Sequence, residues 1–117
     1  MASVFPHHPP VDYAPRQQTD IVVDGTEPTD VLQSLSSEAA QEILGALSDE
    51  PQTASDIADS VDRSLQSVSY HLDRLCKADL IEPAETWYSE KGTEMTVYAL
   101  ATKRLVVEFG DTADQSI

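Results

Sequence analysis

The sequence predicts an α+β fold, a small helical core followed by a C-terminal β-hairpin, and three observations predict it. Apolar residues recur at helical spacing from Asp30 to about Ala78, as Val31, Leu32 and Leu35 at i, i+1 and i+4 and then, from Ala40, chiefly at i, i+3, i+4 and i+7, the spacing of helices with one buried face. Two of those helices are short and are joined by only a few residues at Asp62 and Arg63. After Asp79 the apolar period switches to two, which marks strands.

The first 28 residues carry five of the seven prolines, mixed with Gln, Thr and Asp and nearly devoid of apolar periodicity. Such a stretch buries too little surface to offset its ordering entropy, so residues 1–28 are expected to form a disordered arm, with Ile21 to Val23 a candidate short strand or docking patch. His7 and His8 lie in this arm without further ligands nearby, and they read as tail rather than as a metal site. Thr29 can cap a short helix from Asp30 to Leu35. Ser36 or Ser37 then caps a second helix, in which Ala40, Ile43, Leu44 and Leu47 form one stripe that Pro51 terminates.

Thr53-Ala54-Ser55-Asp56 places a cap and an acid at the start of a third helix, with Ala54, Ile57, Ala58 and Val61 as its inward face. Ser64 caps a fourth, running to about Ala78 with Leu65, Val68, Leu72 and Leu75 inward. A short helix, a tight connection and a longer Ser-capped helix form the helix-turn-helix pattern, although the turn lacks the common glycine. The strands Ala84 to Ser89 and Glu94 to Leu100 flank Glu90-Lys91-Gly92-Thr93, a hairpin turn with Gly92 available for positive φ. Val106 and Val107 favour a last strand over Leu105 to Phe109. The domain thus spans residues 29–109 as a winged helix-turn-helix, and residues 110–117 form an acidic flexible tail.

Composition sets the boundaries of function. The chain has 117 residues, 21 acids against 7 bases and a net charge of −14, with a pI near 4.2. It fits one domain with tails, and no apolar run is long enough for a membrane span or a secretory signal. One cysteine, Cys76, excludes a disulfide framework and a CxxC zinc site within the chain. The acid is distributed, with fourteen acids against six bases between Ser36 and Phe109. An acidic chain repels DNA on average, so contact with nucleic acid has to rest on local charge.

The fourth helix supplies that local exception. Opposite its apolar stripe lie Arg63, Gln66, Ser67, Tyr70, Arg74 and Lys77, three of the folded region's six bases, with no acid at the centre and Asp73 at the edge. The first turns of such a helix reach base edges, so Gln66, Ser67 and Tyr70 are candidates for base or groove contact. Arg63, Arg74 and Lys77 are placed for phosphate, as is Ser64 at the helix N-terminus, and Lys91 at the hairpin tip suits the neighbouring backbone. His71 sits on the flank and reads as packing or a phosphate contact. Cys76 lies beside the buried stripe and reads as a small hydrophobe.

These residues resemble the ArsR type of winged-helix transcriptional regulator, particularly its small acidic members from halophilic archaea. The likeness runs from about Thr29 to Phe109, through Asp30-Val31-Leu32-Gln33-Ser34-Leu35, Thr53-Ala54-Ser55-Asp56-Ile57-Ala58, Ser69-Tyr70-His71-Leu72-Asp73-Arg74-Leu75 and Ala78-Asp79-Leu80-Ile81. The resemblance implies a dimer, DNA recognition by the Ser64 to Ala78 helix and a wing at Glu90 to Thr93. Metal-sensing members carry thiolate pairs or His and acid ligands, and here the corresponding region holds only Cys76, so no metal, cofactor or small-molecule effector is expected.

The sequence therefore leads to a cytoplasmic DNA-binding regulator, a repressor, acting on double-stranded DNA as a homodimer. A core of about 75 residues without disulfide or metal gives pairing a physical motive, with residues 29–35 and 105–109 the expected contact surfaces. The alternative is a winged-helix protein-interaction module in a transcription complex. No paired carboxylates, phosphate loop or activated nucleophile argues for an enzyme.

Overall fold

The computed structural model describes residues 11–25 and 30–110. In chain order the elements are β1 (Thr19–Val23), α1 (Asp30–Leu35), α2 (Glu38–Asp49), β2 (Gln52–Thr53), α3 (Ala54–Val61), α4 (Leu65–Lys77), β3 (Ile81–Tyr88), β4 (Glu94–Leu100) and β5 (Leu105–Phe109). The expected Thr29 cap, the His7-His8 pair and residues 111–117 of the expected tail lie outside the described residues.

The three expected helix caps operate through side chains. Ser37 Oγ accepts the Ala40 N–H, Thr53 Oγ1 accepts that of Asp56, and Ser64 Oγ accepts that of Ser67. Each satisfies a backbone donor that the first helical turn cannot. The stripes of α2, α3 and α4 then meet in one core, where Ile43, Leu47, Ile57, Val68, Leu72 and Leu75 are fully buried and Leu80 and Ile81 close the end. Full burial of each such side chain contributes about 1.5–3 kcal/mol. Leu65 departs from expectation. As the first residue of α4 it precedes the turn that contacts α2 and α3, and it is 50% exposed.

Two aspartates make the turns that place α4. Asp62 adopts φ 57° at the end of α3 and supplies the left-handed residue of the helix-turn-helix connection, so no glycine is needed there. Asp79 adopts φ 62° after α4, where the Asp79 N–H bonds to the Cys76 carbonyl and the Leu80 N–H to that of Leu75. This αL turn reverses the chain into β3 and directs Leu80 and Ile81 inward.

The hairpin of β3 and β4 is antiparallel, with Trp87 opposite Met95 and a bulge between Pro83 and Glu85. β3 lies at the sheet edge, so the missing N–H of Pro83 is tolerated. On the other side of β4 is β2, an unexpected two-residue strand that aligns Thr53 with Val97. Thr53 therefore serves both as a strand residue and as the α3 cap, which ties the wing directly to the helix-turn-helix.

The expected extent of the disordered arm differs from the structure. Thr19–Val23 forms β1, which pairs in parallel with β5 as a separate two-stranded ribbon, Thr19 opposite Leu105 and Val23 opposite Phe109. The strand over residues 105–109 is present as expected, but its partner comes from the segment read as arm. Long-range bonds hold that segment. The Arg16 N–H donates to the Ala101 carbonyl, the Lys103 N–H to the Arg16 carbonyl, and the Arg16 guanidinium to the Asp79 carbonyl at 3.0 Å. A local hydropathy pattern carries no trace of partners so distant in the chain.

Candidate nucleic-acid interface

The outer face of α4 is built by its N-cap and its turn. Ser64 and the αL residue Asp62 fix the helix entry, and the burial of Val68, Leu72 and Leu75 turns Gln66, Tyr70 and Lys77 to solvent. Tyr70 is 57% exposed, and Ser67 and Arg74 are half-buried along the same strip. The Arg74 guanidinium donates to the Tyr70 hydroxyl at 3.0 Å and lies 5.7 Å from the ring centroid. Tyr70 also packs edge-on against His71, with ring centroids 5.1 Å apart. The aromatic ring and the cation therefore form one ordered unit at the centre of the strip, one helical turn apart.

The other two bases of the strip are already engaged. Arg63 Nε donates to Glu42 Oε1 at 2.9 Å and its Nη2 to Glu42 Oε2 at 3.3 Å, while Glu38 approaches to 3.7 Å. The hydrogen bond to Arg63 holds the Glu42 carboxyl below its usual range, and the same bond raises Arg63. Lys77 lies 3.1 Å from Asp73, an exposed i,i+4 pair. Sequence reasoning missed the acids of α2. The signal was present in Glu38 and Glu42, spaced i,i+4 on one helix face, but the packing of that face beside Arg63 is a tertiary fact.

His71 is half-buried, and burial, with the neighbouring Arg63 and Arg74 charges, lowers its pKa. The shift favours the neutral imidazole, which suits packing against Tyr70 better than an electrostatic phosphate contact. Cys76 packs against the core, and burial together with Asp73 and Glu82 raises its thiol pKa. A raised thiol pKa makes a poor nucleophile or metal ligand. No group of three or more His, Cys, Asp or Glu able to hold a metal ion occurs among the described residues.

The wing tip is closed by the Ser89 N–H to Thr93 carbonyl bond at 2.9 Å, the Gly92 N–H to Ser89 carbonyl bond at 2.8 Å, and Gly92 at φ 81°. Lys91 is exposed at the tip, on an element separate from the α4 strip. Glu90 and Glu94 flank it and are also exposed, so the wing carries a single cation within an acidic setting.

A short helix, a left-handed turn, an exposed second helix and a following β-hairpin define a winged helix-turn-helix. Residues 35–84 match the family model described as a helix-turn-helix domain. Solved structures share the fold. One is the homodimeric winged helix-turn-helix DNA-binding domain from Mycobacterium bovis, a possible ArsR-family transcriptional regulator, at 21% identity and a TM-score of 0.50 over 62% of this chain and 61% of that one. Another is NolR from Sinorhizobium fredii, at 21% identity and a TM-score of 0.50 over 62% of this chain and 66% of that one. The chain thus spans less than two thirds of either protein, and likeness at this identity defines the fold alone. No curated protein sequence matches the chain significantly. Among the described residues no helix is long and apolar enough to cross a membrane.

Proposed function

We propose that the chain is a DNA-binding transcriptional regulator that inserts α4 into the major groove of double-stranded DNA. The observation that carries this reading is the strip of exposed Gln66 and Tyr70 with half-buried Arg74, free of acid at its centre, on the second helix of a helix-turn-helix. Gln66 and Ser67, in the first turn, reach base edges, with Gln66 suited to bidentate contact with adenine. Tyr70 spans groove and backbone. Arg74 binds phosphate, Ser64 offers a helix N-terminus to a second phosphate, and Lys91 follows the adjacent backbone. Arg63 and Lys77 add to this once their acidic partners are screened or displaced.

The regulator acts as a repressor and a homodimer of the ArsR kind, in the cytoplasm of a cell that accumulates salt. The charge of −14 then serves solvation in concentrated salt, where the repulsion between an acidic domain and DNA is screened. Mobility shifts with fragments of the source genome in concentrated KCl test the reading, and the Arg74→Ala variant is expected to lose most of the specific shift.

A second reading has its own support. Arg63 and Lys77 are paired with Glu42 and Asp73, and the wing is acidic, which suits a protein-interaction module in a transcription complex. An unshifted genomic library under every salt condition favours that module.

A further inference from the structure

The ribbon of β1 and β5 stands apart from the three-stranded sheet, and an isolated pair of strands is marginally stable in water. Its two edges differ in what they offer. The Thr19 N–H bonds to the Arg104 carbonyl, and the Gly110 N–H bonds to that of Val23. With the parallel register of Thr19 on Leu105 and Val23 on Phe109, the backbone groups of Arg104, Val106 and Glu108 face β1, and those of Leu105, Val107 and Phe109 face outward. The side chains of one ribbon face are Thr19, Ile21, Val23, Leu105, Val107 and Phe109, apolar but for Thr19 at the near end, and Phe109 is 76% exposed. Leu105, at the near end, lines an open groove of about 300 Å³ with Leu35, Leu44, Leu80 and Leu100.

We propose that the outward edge of β5 is a self-association surface on which a second copy of the chain pairs its own β5, antiparallel, about a two-fold axis at Val107. Two ribbons then become one four-stranded sheet.

Three features select this occupant. In that register Val107 faces Val107 of the partner subunit, and Leu105 faces the partner's Phe109, so every outward backbone group of β5 exchanges hydrogen bonds with its counterpart. The same register sets the partner's Phe109 beside Leu105 on the ribbon's apolar face, at the mouth of the leucine-lined groove, which gives an exposed aromatic ring an apolar contact. The charges of β5 are also self-complementary. Lys103 and Arg104 precede the strand, while Glu108 lies near its other end, so antiparallel copies set the basic end against the acidic end. Glu108 falls diagonal to the partner's Arg104, within reach of long side chains. The opposite edge lacks this complementarity, because Asp20 is the one charged residue of β1 and meets no basic counterpart within that strand.

This inference rests on the homodimer named above and assigns its interface, and it is read without DNA. Sedimentation of the full chain in concentrated KCl is expected to give a dimer. Val107→Pro removes an outward N–H that β1 does not use and is expected to give a monomer, while Val22→Pro, its counterpart on the β1 edge, leaves the dimer intact. A monomeric parent chain, or a dimer that survives Val107→Pro, overturns the proposal. Cysteine pairs test the register even if the proline variants fold poorly. In a Cys76→Ser background, chains carrying Val106→Cys mixed with chains carrying Glu108→Cys are expected to crosslink, because that non-hydrogen-bonded pair brings Cα atoms to about 4.5 Å. Each chain alone crosslinks far less, and equal crosslinking of Val106→Cys alone contradicts the register. A dimer that binds no DNA removes the regulator reading and leaves this interface standing. A Val107→Pro monomer that still binds a single half-site supports both.

Discussion

Arg63 clasps Glu42 through two hydrogen bonds of 2.9 and 3.3 Å, although the two residues are 21 positions apart. The pair joins α2 to the turn that precedes α4, and it occupies the cation nearest the N-terminus of α4. An exposed pair of this kind contributes little to stability, and salt weakens it. Its effect falls on binding, since Arg63 cannot give its full charge to phosphate while two carboxylates hold it.

Glu42→Gln, alone or with Glu38→Gln, is therefore expected to tighten DNA binding by roughly two- to five-fold, the scale of an exposed ion pair. Fluorescence anisotropy with one operator fragment measures it. Unchanged affinity would place Arg63 outside the interface.

Salt dependence follows from the same pairing. Ordinary phosphate contacts lose affinity steeply as salt rises. Here salt also screens the −14 of the protein and loosens Arg63 from Glu42 and Lys77 from Asp73. Affinity measured from low to molar KCl is expected to change little or to rise, and a steep uniform fall contradicts this balance.

Asp79 holds φ 62° at the end of α4, where a side chain costs conformational energy that glycine avoids. Asp79→Gly is expected to stabilise the fold by less than about 1 kcal/mol in urea titrations, because relief of an αL cost of about 1–2 kcal/mol is offset in part by glycine's entropic cost of about 0.5–1 kcal/mol. The bonds at this turn come from backbone groups, including the Asp79 carbonyl that accepts from Arg16.

The lowered pKa of His71 has a defined sign. The folded state favours the neutral imidazole, so its contribution is fully present above the unfolded pKa of about 6.5 and is lost as pH falls through the lower folded value. Denaturation between pH 7.5 and 5 is expected to show stability declining over that window, and His71→Gln should flatten the decline.

The helices were legible because each carries a periodic stripe and a capping Ser or Thr, as in Ser64 with Val68, Leu72 and Leu75. The strand over residues 105–109 was legible from Val106 and Val107. Ile21 to Val23 was legible as a candidate short strand, but its pairing with residues 105–109 was not, because the Thr19 hydroxyl meets that of Thr102 across 83 residues and no local signal encodes the contact. The candidate interface was half legible. Helical periodicity showed which α4 residues face outward, but the engagement of Arg63 depends on how α2 packs against the turn, and Leu65, the first residue of α4, is half exposed although Val68 in the same turn is buried.

The central claim is that the Tyr70 and Arg74 face of α4 meets DNA. Its most direct test compares specific binding of the parent chain, Tyr70→Ala and Arg74→Ala to genomic fragments in concentrated KCl, with folding verified by circular dichroism. The account predicts a specific complex for the parent chain that both folded variants weaken by about five-fold or more, the lower end of about 1–3 kcal/mol per good contact. Folded variants that bind as tightly as the parent, or a parent chain that binds no fragment, would contradict it.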